Sequence, residues 1–156
     1  MKKIILVLFL YLLTSVNSEA QWIKQLSPNH FITDIEFINR YTGWACGNNF
    51  IYKTTNGGEN WDNQPNPSTN LIMQIHPVND SVVYAAGWWN FLKTTDGGEN
   101  WVSIFSGGPG MGMPALDAIY FINENTGWLG GQVSYLKTTD GGNSFIDSGR
   151  FEGLPM

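Results

Sequence analysis

Apolar positions along this chain come in short alternating runs, each closed by glycine, asparagine or aspartate within about six residues, a spacing that suits strands rather than helices. One set reads Ile35-Glu36-Phe37-Ile38-Asn39, Ile75-His76-Pro77-Val78-Asn79 and Ile119-Tyr120-Phe121-Ile122-Asn123. A second set follows it: Thr42-Gly43-Trp44-Ala45-Cys46-Gly47, Val82-Val83-Tyr84-Ala85-Ala86-Gly87 and Thr126-Gly127-Trp128-Leu129-Gly130-Gly131. A third, Phe50-Ile51-Tyr52, Phe91-Leu92 and Tyr135-Leu136, runs into a nonapeptide written three times as KTTNGGENW, KTTDGGENW and KTTDGGNSF. No segment keeps a helical period. The pattern predicts an all-β chain.

The nonapeptides begin at Lys53, Lys93 and Lys137, so the period is 40 and then 44 residues, the range of one four-stranded propeller blade. Within each, Asn-Gly or Asp-Gly supports positive φ in a hairpin turn, the Asn or Asp oxygen accepts turn N–H groups, and the Thr hydroxyl helps close the loop. Trp61, Trp101 or Phe145 then opens the outer strand. Blades are expected over 32–67, 72–106 and 116–149, with 150–156 as a tail. Residues 21–26, including Trp22, resemble the outer strand that starts at Trp61 and form an orphan strand with no inner three before it. Propellers close with about four to eight blades. The predicted architecture is therefore a partial propeller, its missing blades supplied by a longer gene product or by self-assembly.

Residues 1–20 have the form of a signal peptide. Met1-Lys2-Lys3 is basic, the apolar run from Ile4 to Val16 is short for a bilayer span, and Ser18-Glu19-Ala20 offers small residues for cleavage before Gln21. This predicts an exported protein, secreted, periplasmic or at the cell surface, with no membrane attachment after cleavage. The single cysteine, Cys46, lies in an apolar run, so stability must come from packing rather than disulfides. A net charge of −5 with no basic run argues against nucleic acid and anionic membranes as partners.

The repeat Phe-Ile-Asn-x-x-Thr-Gly-Trp followed by Lys-Thr-Thr-Asp-Gly-Gly-x-x-Trp/Phe resembles the Asp-box, or BNR, repeat, and is most similar to propellers of the photosystem II stability and assembly factor type. The resemblance covers about residues 21–149. It implies that Thr54, Asn56, Gly58 and Trp61, with Thr94, Asp96, Gly98 and Trp101 and with Thr138, Asp140, Gly142 and Phe145, are architectural. It also implies that the Asp boxes sit between third and fourth strands, on the same face as the Thr-Gly-Trp turns. A working surface then belongs on the opposite face. Asp boxes occur in sialidases, xyloglucan hydrolases, receptors and assembly factors alike, so the repeat speaks to fold more than to function.

On that opposite face Trp88-Trp89-Asn90 stands out, because its counterparts are small or polar, and aromatic faces beside an amide suit a protein partner or a sugar. The loop from Ser106 to Pro114 adds Met111 and Met113 as adaptable apolar contacts. A sialidase-like site would need an arginine cluster, whereas Arg40 and Arg150 lie on distant repeats; the assembly-factor relatives' arginine-rich patch is missing too. A paired-carboxylate glycosidase would need a second domain across a cleft. Neither a nucleophile elbow nor metal-like spacing of histidines is present, and no cofactor is expected. The sequence thus predicts a non-enzymatic interaction or assembly scaffold with a protein partner. The alternative is the N-terminal part of a carbohydrate-binding or glycoside-hydrolase propeller.

Overall fold

The computed structural model describes residues 23–25, 31–106, 115–131 and 134–150. The signal-peptide segment, half of the orphan strand, Met111, Met113 and most of the tail lie outside these described residues.

Among the described residues, twelve strands form three four-stranded antiparallel sheets, each in the order of the chain. Blade 1 comprises β1 (Ile32–Phe37), β2 (Gly43–Gly47), β3 (Phe50–Thr54) and β4 (Asp62–Gln64). Blade 2 comprises β5 (Ile72–Pro77), β6 (Val83–Gly87), β7 (Asn90–Thr94) and β8 (Val102–Ser106). Blade 3 comprises β9 (Leu116–Phe121), β10 (Gly127–Gly131), β11 (Ser134–Thr138) and β12 (Ile146–Arg150). The all-β partial propeller expected from the repeats is what the chain forms.

The blades stack face to face, and the strand alternation decides which side chains meet. In blade 1 the register pairs Trp44 with Glu36 and with Lys53, and these three point toward blade 2. Ile35, Ala45 and Tyr52 share the opposite side of the sheet. The first core therefore joins Trp44, Cys46 and Ile51 of blade 1 to Ile72, Ile75, Val83, Ala85, Leu92 and Trp101 of blade 2. The second joins Tyr84, Ala86 and Phe91 of blade 2 to Leu116, Ile119, Phe121 and Leu129 of blade 3. β2 and β6 are buried along their whole length, β6 between two neighbouring blades and β2 with the Phe37 and Phe50 rings of its own blade over Gly43 and Gly47. An aromatic stack runs through the second core: the Tyr84 and Phe121 rings lie 3.7 Å apart and nearly parallel, and the Phe145 ring meets Phe91 edge-on at 5.9 Å.

One register pair shows how the repeats trade volume. Phe37 faces Gly43, Phe121 faces Gly127, and at the same place in blade 2 the smaller Pro77 faces Val83. A Cβ on Gly127 would run into the Phe121 ring, so the large ring requires the glycine beneath it. Blade 2 fills the same space the other way round.

Candidate functional site

The three Asp boxes share one geometry. Thr54, Thr94 and Thr138 are buried, and each hydroxyl accepts the N–H of the second box glycine at 2.9–3.0 Å while donating to the Asn56, Asp96 or Asp140 side chain. That side chain in turn accepts the N–H of Asn60, Asn100 or Ser144 at 2.9 Å. Both glycines of every box have positive φ. These backbone and side-chain donors hold the Asp96 and Asp140 carboxyls down at about 2, with Asn100 the main donor to Asp96 and Ser144 to Asp140. Asn56 makes the same backbone contacts without charge, so the box runs on acceptor geometry.

Each box is also tied to its blade's first turn: Gly57, Gly97 and Gly141 donate to the carbonyls of Tyr41, Ser81 and Asn125 at 2.7–2.8 Å. Boxes and first turns therefore share a face.

The same glycines receive the preceding blade. The Gly97 carbonyl accepts from Lys53 Nζ at 2.8 Å and Trp44 Nε1 at 3.3 Å. The Gly141 carbonyl accepts from Lys93 Nζ at 3.1 Å, while the Tyr84 hydroxyl donates to the Glu124 carbonyl at 2.8 Å and lies 3.2 Å from that of Gly141. In both, the ammonium also lies 5.2 Å from the centre of the ring it accompanies. Nearer the inner strands, the Asp34 carboxylate accepts the Ile75 N–H and the Gln74 amide oxygen accepts the Ile119 N–H. At the outer strands, Gln64 and Ile104 lie so close over Gly98 and Gly142 that a Cβ there would meet them at 2.6 and 2.7 Å. Sequence reading left these lysines, Asp34 and the glutamines unassigned. For the lysines alone the sequence holds a hint, the Lys that opens each nonapeptide; that it stands opposite Trp44, Tyr84 or Trp128 is shown by the register.

Gln25 repeats the outer-strand contact one blade earlier: its Oε1 would lie 2.5 Å from a Cβ on Gly58. Gln25 thus stands over the box of blade 1 as Gln64 stands over that of blade 2.

On the opposite face the second and third strands of blade 2 are joined by just two residues, Trp88 and Trp89. Trp88 is 45 % exposed, and its ring lies 6.0 Å from that of Trp89 at an angle of 59°. Trp89 has φ 55°, and Asn49 at the equivalent place in blade 1 has φ 67°. The turn demands a left-handed residue; asparagine adopts that conformation with little strain and tryptophan does not.

Asn90, grouped with this loop in the sequence reading, is the first residue of β7, pairs with Gly87 and is buried. Its amide nitrogen donates to the Ser68 hydroxyl and the Trp88 carbonyl, fastening the connection between blades 1 and 2. The turn needs only two residues, so the strand takes Asn90 inward.

Cys46 is fully buried, and burial pushes its thiol up to about 12 even though Thr33 hydrogen-bonds to it, so the sulfur is inert. Among the described residues no group of three or more His, Cys, Asp or Glu side chains could hold a metal ion.

Solved structures with this geometry are propellers. YCF48 bound to D1 peptide superposes with a TM-score of 0.68 at 23% identity, over 80% of this chain and 42% of that one. The fold is YCF48-like. YCF48 from Cyanidioschyzon merolae gives a TM-score of 0.68 at 20% identity, covering 82% of this chain and 43% of that chain. An ancestral GH74 enzyme gives 0.62 at 15% identity, over 74% of this chain and 18% of its own length. This chain therefore spans less than half the length of either YCF48 chain. The likeness to photosystem II assembly factor propellers read from the repeats holds for the fold. Neither a family model nor a curated protein matches the sequence.

Proposed function

We propose that this chain is an exported, non-enzymatic segment of a β-propeller that binds a protein partner, with the Trp88–Trp89 turn as its anchor. The observation that carries the reading is the tryptophan at a left-handed turn position. Such a conformation in a bulky residue costs about 1–3 kcal/mol, and asparagine fills the same position in blade 1. A large aromatic kept there at the expense of stability, next to the exposed Trp88, fits selection for contact rather than folding. The face is also separate from the Asp boxes, whose threonine hydroxyls and Asn or Asp side chains are engaged in the turns. A YCF48 propeller bound to D1 peptide supports peptide binding as a use of this fold. The shortage of arginine and the net charge of −5 point to a partner segment that is apolar or basic rather than acidic.

The chain from residue 21 onward, applied in parallel to a peptide array and a glycan array, tests this. Binding to apolar or basic peptides that Trp88→Ala abolishes is the expected result. Glycan binding lost in Trp88→Ala, or hydrolysis of any glycan that persists through purification, would establish the carbohydrate alternative instead.

A further inference from the structure

The first Asp box differs from the second at one residue. KTTNGGENW and KTTDGGENW are the same peptide but for Asn56 where the second has Asp96. Asn56 precedes Gly57, the one Asn-Gly step in the sequence. At such a step a backbone nitrogen attacks the side-chain amide most readily, because glycine has no Cβ to obstruct the approach. In the second box the carboxylate is bound through both oxygens: Oδ1 accepts from the Thr94 hydroxyl and the Asn100 N–H, and Oδ2 accepts from Asn100 Nδ2 at 2.8 Å. Asn56 Oδ1 makes the first two of these bonds, to Thr54 and Asn60, at 3.0 and 2.9 Å. Its other terminal group is an NH2, which cannot accept from Asn60 Nδ2.

The fold treats the two reacting groups oppositely. The Thr54 and Asn60 donors draw electrons from the Asn56 side-chain carbonyl and would steady an oxyanion there. The Gly57 nitrogen, however, donates to the Tyr41 carbonyl at 2.8 Å, in a glycine held at φ 75°. It attacks only as the deprotonated amide, so the bond to Tyr41 has to break first. Thr54 Oγ1 also receives the Gly58 N–H at 2.9 Å and so keeps the loop closed. Asn60 is exposed, and water weakens its pull on the carbonyl. The restraint on the nucleophile outweighs the activation of the amide.

We infer that Asn56 is a hydrolytic deamidation site, guarded while Gly57 is bonded to Tyr41 and reactive when the box opens, whose aspartate product completes the box as Asp96 does. On opening, the Gly57 amide gives its proton to a solvent base and the nitrogen adds to Asn56 Cγ. The Cγ–Nδ2 bond breaks, and ammonia leaves with a proton taken from water. Water then adds to Cγ of the succinimide, the bond from Cγ to the Gly57 nitrogen breaks, and that nitrogen recovers its proton. Amide and water become carboxylate and ammonium, with no change of oxidation state. The closed box then gains the bond from Asn60 Nδ2 that Asn100 already makes to Asp96. Water adding at the backbone carbonyl instead puts the side-chain methylene into the main chain, and that product cannot restore the turn.

The purified chain, held in mildly alkaline buffer with and without urea, tests this. Mass spectrometry of the peptide carrying Asn56 reads the conversion. Hydrogen exchange reads the Gly57 N–H, which is lost through the same amide anion. Conversion should be slower in the folded chain by about tenfold or more, in step with the exchange protection of Gly57. Thr54→Val strands the Gly58 N–H and should speed conversion by about tenfold, whereas Thr94→Val, which opens the neighbouring box, should leave it unchanged. Asn56→Asp should raise the thermal midpoint by about 1–4 °C. Conversion as fast in the folded chain as in urea, or slowed by Thr54→Val, overturns the guard, because the box would then be promoting the reaction. Equal acceleration by Thr94→Val overturns its assignment to this box. A midpoint that Asn56→Asp lowers or leaves unchanged overturns the completed box.

Discussion

Glu36 Oε2 lies 3.4 Å from His76 Nδ1, an ion pair that joins the inner strands of blades 1 and 2. The other ring nitrogen of His76 meets the carbonyl of Phe121 in blade 3 at 3.1 Å. One imidazole therefore links all three blades, with the Tyr120 ring against it at 5.1 Å. Burial opposes its charge, but the Glu36 carboxylate, the Phe121 carbonyl and the field of Asp34 outweigh burial and raise its pKa above 6.5.

A group whose pKa rises on folding contributes stability that is complete below its unfolded value. That contribution is lost as pH climbs through the folded one. Blade docking should accordingly be strongest below about pH 6.5 and weaken above it. Urea midpoints between pH 5 and 8 check this, and Glu36→Gln should flatten the profile. The loss should stay under about 1 kcal/mol, because Glu36 is solvent-exposed on one side.

The Asp boxes titrate in a different window and with the opposite sign. Asp96 and Asp140 have pKa values lowered to about 2, so their contribution is complete above the ordinary carboxylate value and disappears as pH falls through about 2. Asp96→Asn should remove that acid-side dependence for its box and leave the neutral-pH fold intact, because Asn56 already does the work in blade 1. Carboxyl chemical shifts followed against pH would show it. Thr94→Val is the contrasting change: it strands the Gly98 N–H and should cost about 1–3 kcal/mol.

Trp89→Asn separates stability from binding. Replacing tryptophan at φ 55° by the residue that blade 1 uses should raise stability by about 1 kcal/mol. The same change should weaken capture of any peptide that depends on Trp88. A melting curve and the peptide array, run on one variant, would expose a disagreement at once.

The Phe37–Gly43 pair predicts a coupled effect. Gly43→Val alone drives a side chain into the Phe37 ring and should cost about 1–3 kcal/mol. Phe37→Pro with Gly43→Val reproduces the Pro77–Val83 pair of blade 2 and should recover much of that loss. A double-mutant cycle with no coupling would contradict the volume trade.

The blades were legible in the sequence because the elements that build them are local. A hairpin written as Thr-Thr-Asp-Gly-Gly carries its own turn chemistry, and the alternation around Ile75 and Ile119 states which side is buried. What joins the blades was not legible, because Lys53 and Gly97 are far apart in sequence and the carbonyl they share is a backbone atom with no residue identity. Asn90 was misplaced for a related reason: loop and strand differ there only by whether a two-residue turn is enough. Gln25 was legible only as an alignment with Gln64; that both side chains stand over the second glycine of a box came from the structure.

The blade junction has a direction. Every repeat carries an aromatic–lysine pair on one side and a glycine carbonyl on the other, so neighbouring blades fit in one order and not the reverse. Recombination anywhere in the connections between blades would hand on both halves together. A gene built this way can gain or lose whole blades without a compensating change at the seam, and the number of blades is free to drift while the chemistry between them stays fixed.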